Sequence, residues 1–140
     1  MTLIKSYEVS LDNISKVVEY LRQAIENKNL VILLQGDLAS GKTTLIQSLL
    51  KSYGIQSDVT SPTFCIQNVY ENNFYHYDVY NKTLEEFISL GLLEEFEKEG
   101  VHFVEWGDDT LEELLKSYGF EIIKITIDKL NNKRRYTIHA

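Results

Sequence analysis

One cysteine, Cys65, and one proline, Pro62, occur in 140 residues. A lone cysteine excludes an intramolecular disulfide. None is needed, because a chain of this length buries roughly 68% of its unfolded surface. No apolar run approaches the roughly 18 residues of a membrane helix, and the longest, residues 30–34, fits a buried strand. The first eight residues lack the charged and apolar regions of a secretory signal. These absences lead us to expect a reduced, cytoplasmic setting with no membrane contact. Arginine is scarce: Arg22, Arg134 and Arg135 are the only three. The formal charge is −7. Nonspecific nucleic-acid binding relies on Lys and Arg neutralising phosphates, so this balance argues against a free-standing RNA or DNA binder. It leaves docking to a basic protein partner open.

What is present reads as an ordinary folded chain, 44% apolar and 25% charged. A strand is expected over residues 3–9. Ile14, Val17, Val18, Leu21 and Ile25 then repeat at helical spacing, with Ser10 or Asp12 as a possible cap. Residues 30–35 are apolar on both faces, the pattern of a central parallel strand covered by helices on each side. Residues 64–70 and 74–80 read as two strands joined in a hairpin around Glu71, Asn72 and Asn73. Thr83 with Glu86 fits a capping box, Gly91 breaks the short helix that follows, and residues 92–98 suggest another. A strand over 101–105 precedes a second capping-box pattern, Thr110 with Glu113, and a helix ending before Gly119. Strands over 120–127 and 134–139 flank a turn at Asn131 and Asn132. There is no repeat, low-complexity tract or linker. Alternating strands and helices imply one α/β domain over residues 1–140, with a mostly parallel sheet of about seven strands, some antiparallel pairing and flanking helices.

The strongest motif is Gly36-x4-Gly41-Lys42-Thr43, set between an apolar strand and an amphipathic helix. Glycines let the backbone curl so that successive N–H groups face phosphate oxygens. The helix starting there adds its positive dipole end. The pattern arises by chance in roughly 0.5% of chains of this length, given average composition, so its setting makes a phosphate cradle the expected reading. Gly36, Asp37, Leu38, Ala39, Ser40, Gly41, Lys42, Thr43 and Thr44 are its residues. Lys42 would reach the β- and γ-phosphates, and the Thr43 hydroxyl would take a Mg²⁺ position. No Asn-Lys-x-Asp guanine-reading motif appears, which favours ATP over GTP.

Such a protein needs an acid near the metal, usually at the C-terminal end of a buried strand. Glu105 ends one apolar run and Asp78 another. His76, Asp78 and Tyr80 would share one strand face, so His76 could orient a carboxylate, carry a proton or simply be a satisfied strand histidine. His102 and His139 look structural, and Cys65 reads as a small buried hydrophobe. Thr60, Ser61 and Thr63, with Pro62, form a hydroxyl-rich loop in the place where many nucleotide hydrolases sense the γ-phosphate. Trp106 follows Glu105 and either packs in the core or covers part of the site.

In order, GDLASGKTT, TSPTF, HYDVY and VEW resemble the TsaE (YjeE) family, small P-loop ATPases of bacterial tRNA threonylcarbamoyladenosine biosynthesis. The resemblance runs from about Ser10 to the C-terminus and includes an acidic, leucine-containing stretch over 84–100. It implies that residues 36–44 bind the ATP phosphates and that Thr43 and Glu105 hold Mg²⁺. It makes Lys42, Asp78 and Glu105 the catalytic set, with Asp78 placing or activating water. Thr60, Ser61 and Thr63 would be the switch-like loop. Ser10 and Arg134 or Arg135 are the nearest matches to further nucleotide contacts. It also implies weak intrinsic hydrolysis, action through a complex with TsaB and TsaD, and contact with tRNA only through that complex. Three departures stand out: Ala39 and Ser40 replace Gly-Ala in the loop, Asn81 replaces an arginine, and Gly107 replaces a proline. Ala39 must tolerate the loop backbone without glycine's freedom, and the turn at Gly107 is expected to be looser. Two other readings remain at this point: a small-molecule kinase, which the lack of arginine between Arg22 and Arg134 disfavours, and a nucleotide-gated scaffold that does not hydrolyse.

Overall fold

Apolar residues at both faces of residues 30–34 demand cover on two sides, and the fold supplies it. The structure, a computed structural model, describes residues 4–37, 39–56, 58–60, 62 and 67–140. Strand β1 (Ile4–Val9) leads through a 3-10 turn (Leu11–Asn13) into helix α1 (Ser15–Ile25). Then come β2 (Leu30–Gln35), α2 (Lys42–Ser52), β3 (Gln67–Tyr70) and β4 (Phe74–Asp78). The short helices α3 (Leu84–Ser89) and α4 (Leu92–Glu95) precede β5 (Val101–Glu105), α5 (Asp109–Ser117), β6 (Ile122–Lys129) and β7 (Arg134–His139). The sheet order is β1-β7-β6-β2-β5-β4-β3. Strands β6, β2, β5 and β4 are parallel, whereas β1, β7 and β3 join antiparallel. This is the expected seven-strand α/β sheet.

Leu30, Ile32 and Leu34 of β2 pack with the apolar faces of α1 and α2. Val31 and Leu33 pack on the other side with Phe87, Leu92, Leu111 and Leu115 of α3, α4 and α5. All five strand residues are at most 2% exposed, and burying each side chain stabilises the fold by roughly 1.5–3 kcal/mol. The connection after β2 runs to one face and that after β5 to the other. Adjacent strands with opposite exits open a crevice at their C-terminal ends. Register aligns Leu34 with Glu105 and Asp78 with Glu105, so the two acids and the start of the glycine loop share that edge.

Several local expectations change. Neither Ser10 nor Asp12 caps α1: the 3-10 turn intervenes, and Ile14 occupies the cap position without a side-chain bond. Helix α5 is capped by Asp108, whose carboxylate accepts from Leu111 N–H at 2.8 Å, so Thr110 and Glu113 lie inside the helix. Strand β4 stops at Asp78 because Tyr80 N–H donates to Asp78 Oδ1 at 3.0 Å, turning the chain off the sheet. Tyr80 therefore leaves the face shared by His76 and Asp78. Helix α4 ends at Glu95, not 98, and β6 runs two residues later than expected. The Thr83–Glu86 capping box and the β3–β4 hairpin form as expected. Residues 64–66, with Cys65, lie outside the described residues.

Candidate functional site

The loop between β2 and α2 owes its shape to two glycines for two different reasons. Gly41 caps α2 with φ +107°, a conformation that L side chains rarely adopt. A Cβ on Gly36 would lie 2.6 Å from Ser40 Oγ and 2.8 Å from the Ile127 carbonyl, so space forbids a side chain there. Ala39 does sit in the left-handed region, at φ +61°, which costs roughly 1–2 kcal/mol without glycine. Ser40 is buried, and among the described residues its hydroxyl has no hydrogen-bond partner. Leu38 lies outside the described residues. Asp37 and Thr44 are placed on the loop and in the first turn of α2, with Asp37 exposed.

Lys42 opens α2, is 5% exposed, and donates from Nζ to the carbonyls of Gly36 at 2.8 Å and Asp37 at 3.0 Å. Its ammonium also lies 3.8 Å from the centre of the Trp106 ring. Burial pushes the Lys42 pKa down from its ordinary value, while the carboxylates of Glu105, Asp78 and Asp37 oppose that shift. Trp106 holds this position through a left-handed backbone, φ +67°, with its N–H donating to the Leu34 carbonyl at 2.9 Å. Such a conformation in a bulky residue is strained. Its ring also packs on Tyr80, with centroids 4.8 Å apart. Trp106 therefore joins the core on one side and covers the lysine on the other.

Glu105 is 3% exposed and is held from two directions. Thr43 Oγ1 donates to Glu105 Oε1 and Oε2 at 3.0 and 2.8 Å. His76, itself fully buried, places Nε2 2.5 Å from Oε2. Asp78 is half-buried beside Glu105 across the β4–β5 pair and accepts from Tyr80 N–H. His102, the other buried strand histidine, points into the second core layer. Its ring contacts are the Tyr77 hydroxyl at 2.7 Å and the Lys98 carbonyl at 2.9 Å, and burial pushes its pKa down.

The outlying candidates divide. Arg134 Nε donates to the Ser40 carbonyl at 3.0 Å, tying the glycine loop to β7. Arg135 instead pairs with Glu8 at 3.0 Å. Ser10 follows Val9, which lies opposite Arg134, and its hydroxyl accepts from Asn13 at 3.4 Å. Thr60 is exposed, and its carbonyl accepts from Asn68 at 3.0 Å. Ser61 and Thr63 lie outside the described residues. Asn81 sits at φ +58° in the turn after β4, a conformation asparagine tolerates well. The turn at Gly107 is not loose: the glycine is buried, and an added Cβ would come within 2.7 Å of Leu33 Cδ2. Trp106 does both things expected of it, core packing and site cover, but that Lys42 is what it covers, and that Arg134 bonds the Ser40 carbonyl, depends on side chains arriving from distant strands.

The chain shares this architecture with proteins already described. Residues 9–137 match the family model of the threonylcarbamoyl adenosine biosynthesis protein TsaE. A Bacillus subtilis relative, tRNA threonylcarbamoyladenosine biosynthesis protein TsaE, is 33% identical over 130 residues, covering 85% of this chain and 82% of the relative. A Rickettsia prowazekii protein of the same name is 35% identical over 116 residues, covering 79% and 78%. One from Treponema pallidum is 42% identical over 87 residues, where the match spans 60% of this chain and 64% of the relative. The crystal structure of Bacillus subtilis YdiB superposes with a TM-score of 0.72 at 28% identity, covering all of this chain and 87% of that one, consistent with a P-loop fold. No helix of the described residues is long and apolar enough to cross a membrane.

Proposed function

Because the chain belongs to the TsaE family of tRNA threonylcarbamoyladenosine biosynthesis proteins, we propose that it serves that pathway as a Mg²⁺-dependent ATPase acting through TsaB and TsaD. The observation that carries this reading is the meeting of Thr43 and Glu105, at 2.8–3.0 Å, beside the lysine of the glycine loop. The donor set suits magnesium, which takes one or two carboxylates and fills its remaining positions with substrate phosphates and water. Among the described residues no cluster of three His, Cys, Asp or Glu suggests a closed all-protein metal site. Thr43 Oγ1 and Glu105 would hold the ion, which when bound supplies positive charge to the phosphate oxygens.

The chain's own residues do the rest. The backbone N–H groups of the loop and the first turn of α2 receive the phosphates. Lys42 exchanges its bonds to the Gly36 and Asp37 carbonyls for bonds to phosphate oxygens. Asp78, at the next strand end, orients the attacking water. Arg134 steadies the loop through Ser40. The kinase reading gains nothing here: Arg22 bonds the Ser52 carbonyl, Arg135 pairs with Glu8, and Arg134 holds backbone. The acidic chain is suited to a protein partner and not to direct grip on tRNA.

Phosphate release from ATP tests this. Slow release by the protein alone and faster release with TsaB and TsaD are expected. A reconstituted tRNA modification reaction that needs ATP binding while releasing no phosphate would favour the scaffold reading instead.

A second test uses the only tryptophan. A cation on a ring face is worth roughly 0.5–2 kcal/mol, so drawing Lys42 onto phosphate changes the surroundings of Trp106. ATP should alter the tryptophan emission of the wild type, and Trp106→Phe should abolish the signal while binding persists by calorimetry. Binding with unchanged emission would show that Lys42 stays where it is.

A further inference from the structure

Buried histidines on strands usually settle on backbone or hydroxyl partners, as His102 does. His76 differs: its partner is the site's own acid. It is fully buried on β4, with Nε2 2.5 Å from Glu105 Oε2. Its other nitrogen, Nδ1, lies 3.4 Å from the Tyr70 hydroxyl. Asn68 Nδ2 reaches that hydroxyl at 3.4 Å and donates to the Thr60 carbonyl at 3.0 Å. The groups thus form one line: Thr60 carbonyl, Asn68, Tyr70, His76, Glu105, Thr43. It begins at the hydroxyl-rich loop and ends in the first turn of α2.

A carboxylate that accepts only from Thr43 remains free to rotate about its last bond. A second donor removes that freedom: Nε2–H holds Oε2, the oxygen that Thr43 Oγ1 also approaches at 2.8 Å, while Oε1 stays 3.0 Å from the same hydroxyl. The tautomer follows from the network: Nε2 carries the proton for the carboxylate, and Nδ1 accepts from Tyr70. Outer partners of ligating carboxylates act this way in metal sites generally, and their loss costs about 10–100-fold in metal affinity or activity. We propose that His76 is a positioning residue that holds the Glu105 carboxylate in its metal-binding orientation, and that Tyr70 and Asn68 tie this orientation to the loop at Thr60. This rests on the proposed metal role of Glu105.

The test compares ATP affinity with Mg²⁺ and with EDTA in the wild type, His76→Leu, His76→Gln and Tyr70→Phe, with thermal unfolding recorded for each. The wild type should bind ATP more tightly with Mg²⁺. His76→Leu should lose about 10–100-fold of that gain while its affinity in EDTA stays within about twofold. Glutamine carries an amide donor of similar reach, so His76→Gln should recover part of the gain. Tyr70→Phe, which removes one hydroxyl, should lose less than His76→Leu. If His76→Leu fails to fold, Gln and Phe carry the comparison: a Mg²⁺ gain lower than wild type in Tyr70→Phe supports the line, and a full gain in both overturns it. A folded His76→Leu with the wild-type Mg²⁺ gain overturns the proposal, and so does an equal fall in Mg²⁺ and in EDTA, which would mark a purely structural histidine. A wild type with no Mg²⁺ gain at all would instead sink the metal role of Glu105.

Discussion

Lys42→Ala should bind ATP at least about 10-fold, and up to roughly 150-fold, more weakly than the wild type, with the fold retained. A hydrogen bond to a charged group contributes roughly 1.5–3 kcal/mol, and each 1.4 kcal/mol is a factor of about ten in affinity. The variant loses at least one such bond to phosphate. It also frees the carbonyls of Gly36 and Asp37, which the ammonium now holds at 2.8 and 3.0 Å. Both bonds are partly buried and Lys42 is 5% exposed, so the stability of the variant is measured beside its binding. Titration calorimetry with ATP and Mg²⁺ measures the first effect, and thermal unfolding the second. An affinity within about twofold of wild type would show that the lysine does not engage phosphate.

Glu105→Gln should leave ATP bound and slow its hydrolysis. Glutamine keeps the shape and an acceptor oxygen, yet removes the charge that the buried strand end now presents to Thr43 and His76. Removing one preorganised electrostatic partner of a transition state typically costs on the order of 10²–10³ in rate. Single-turnover phosphate release with TsaB and TsaD present is the measurement. Asp78→Asn is the informative companion. If Asp78 orients water while Glu105 holds the ion, Asp78→Asn should slow release and keep the Mg²⁺ dependence of ATP affinity, whereas Glu105→Gln should lose both. Wild-type release by Glu105→Gln would remove Glu105 from the reaction.

Both variants concern residues visible in the primary structure, and the reason is physical. A glycine loop between an apolar strand and a helix is a local feature, written in consecutive residues. A carboxylate after a run such as Val101-His102-Phe103-Val104 is local too, since a charge at the end of a buried strand needs a reason. Residues 30–34, apolar on both faces, placed β2 between two helical layers for the same reason. Contacts made by side chains from separate strands were less legible. The position of Trp106 directly after Glu105 leaves core packing and site cover both open, but its left-handed backbone and its place over Lys42 come only with the fold, and nothing local indicates that Arg134, and not Arg135, reaches Ser40 across 94 residues. His76 was half legible: alternation put it on the face of Asp78, but only the β4–β5 register brings it to Glu105. Capping is ambiguous where two acceptable caps lie close together: Asp108 caps α5, and Thr110 falls inside the helix.

A crystal structure with a non-hydrolysable ATP analogue and Mg²⁺ tests the central claim most directly. The account predicts the β-phosphate within hydrogen-bond distance of backbone N–H groups between Ala39 and Thr43, Lys42 Nζ moved from the Trp106 ring onto phosphate oxygen, and the ion on Thr43 with Glu105 beside it. A triphosphate seated elsewhere on the protein, or a loop that stays empty at saturating analogue with Lys42 still against Trp106, would contradict it.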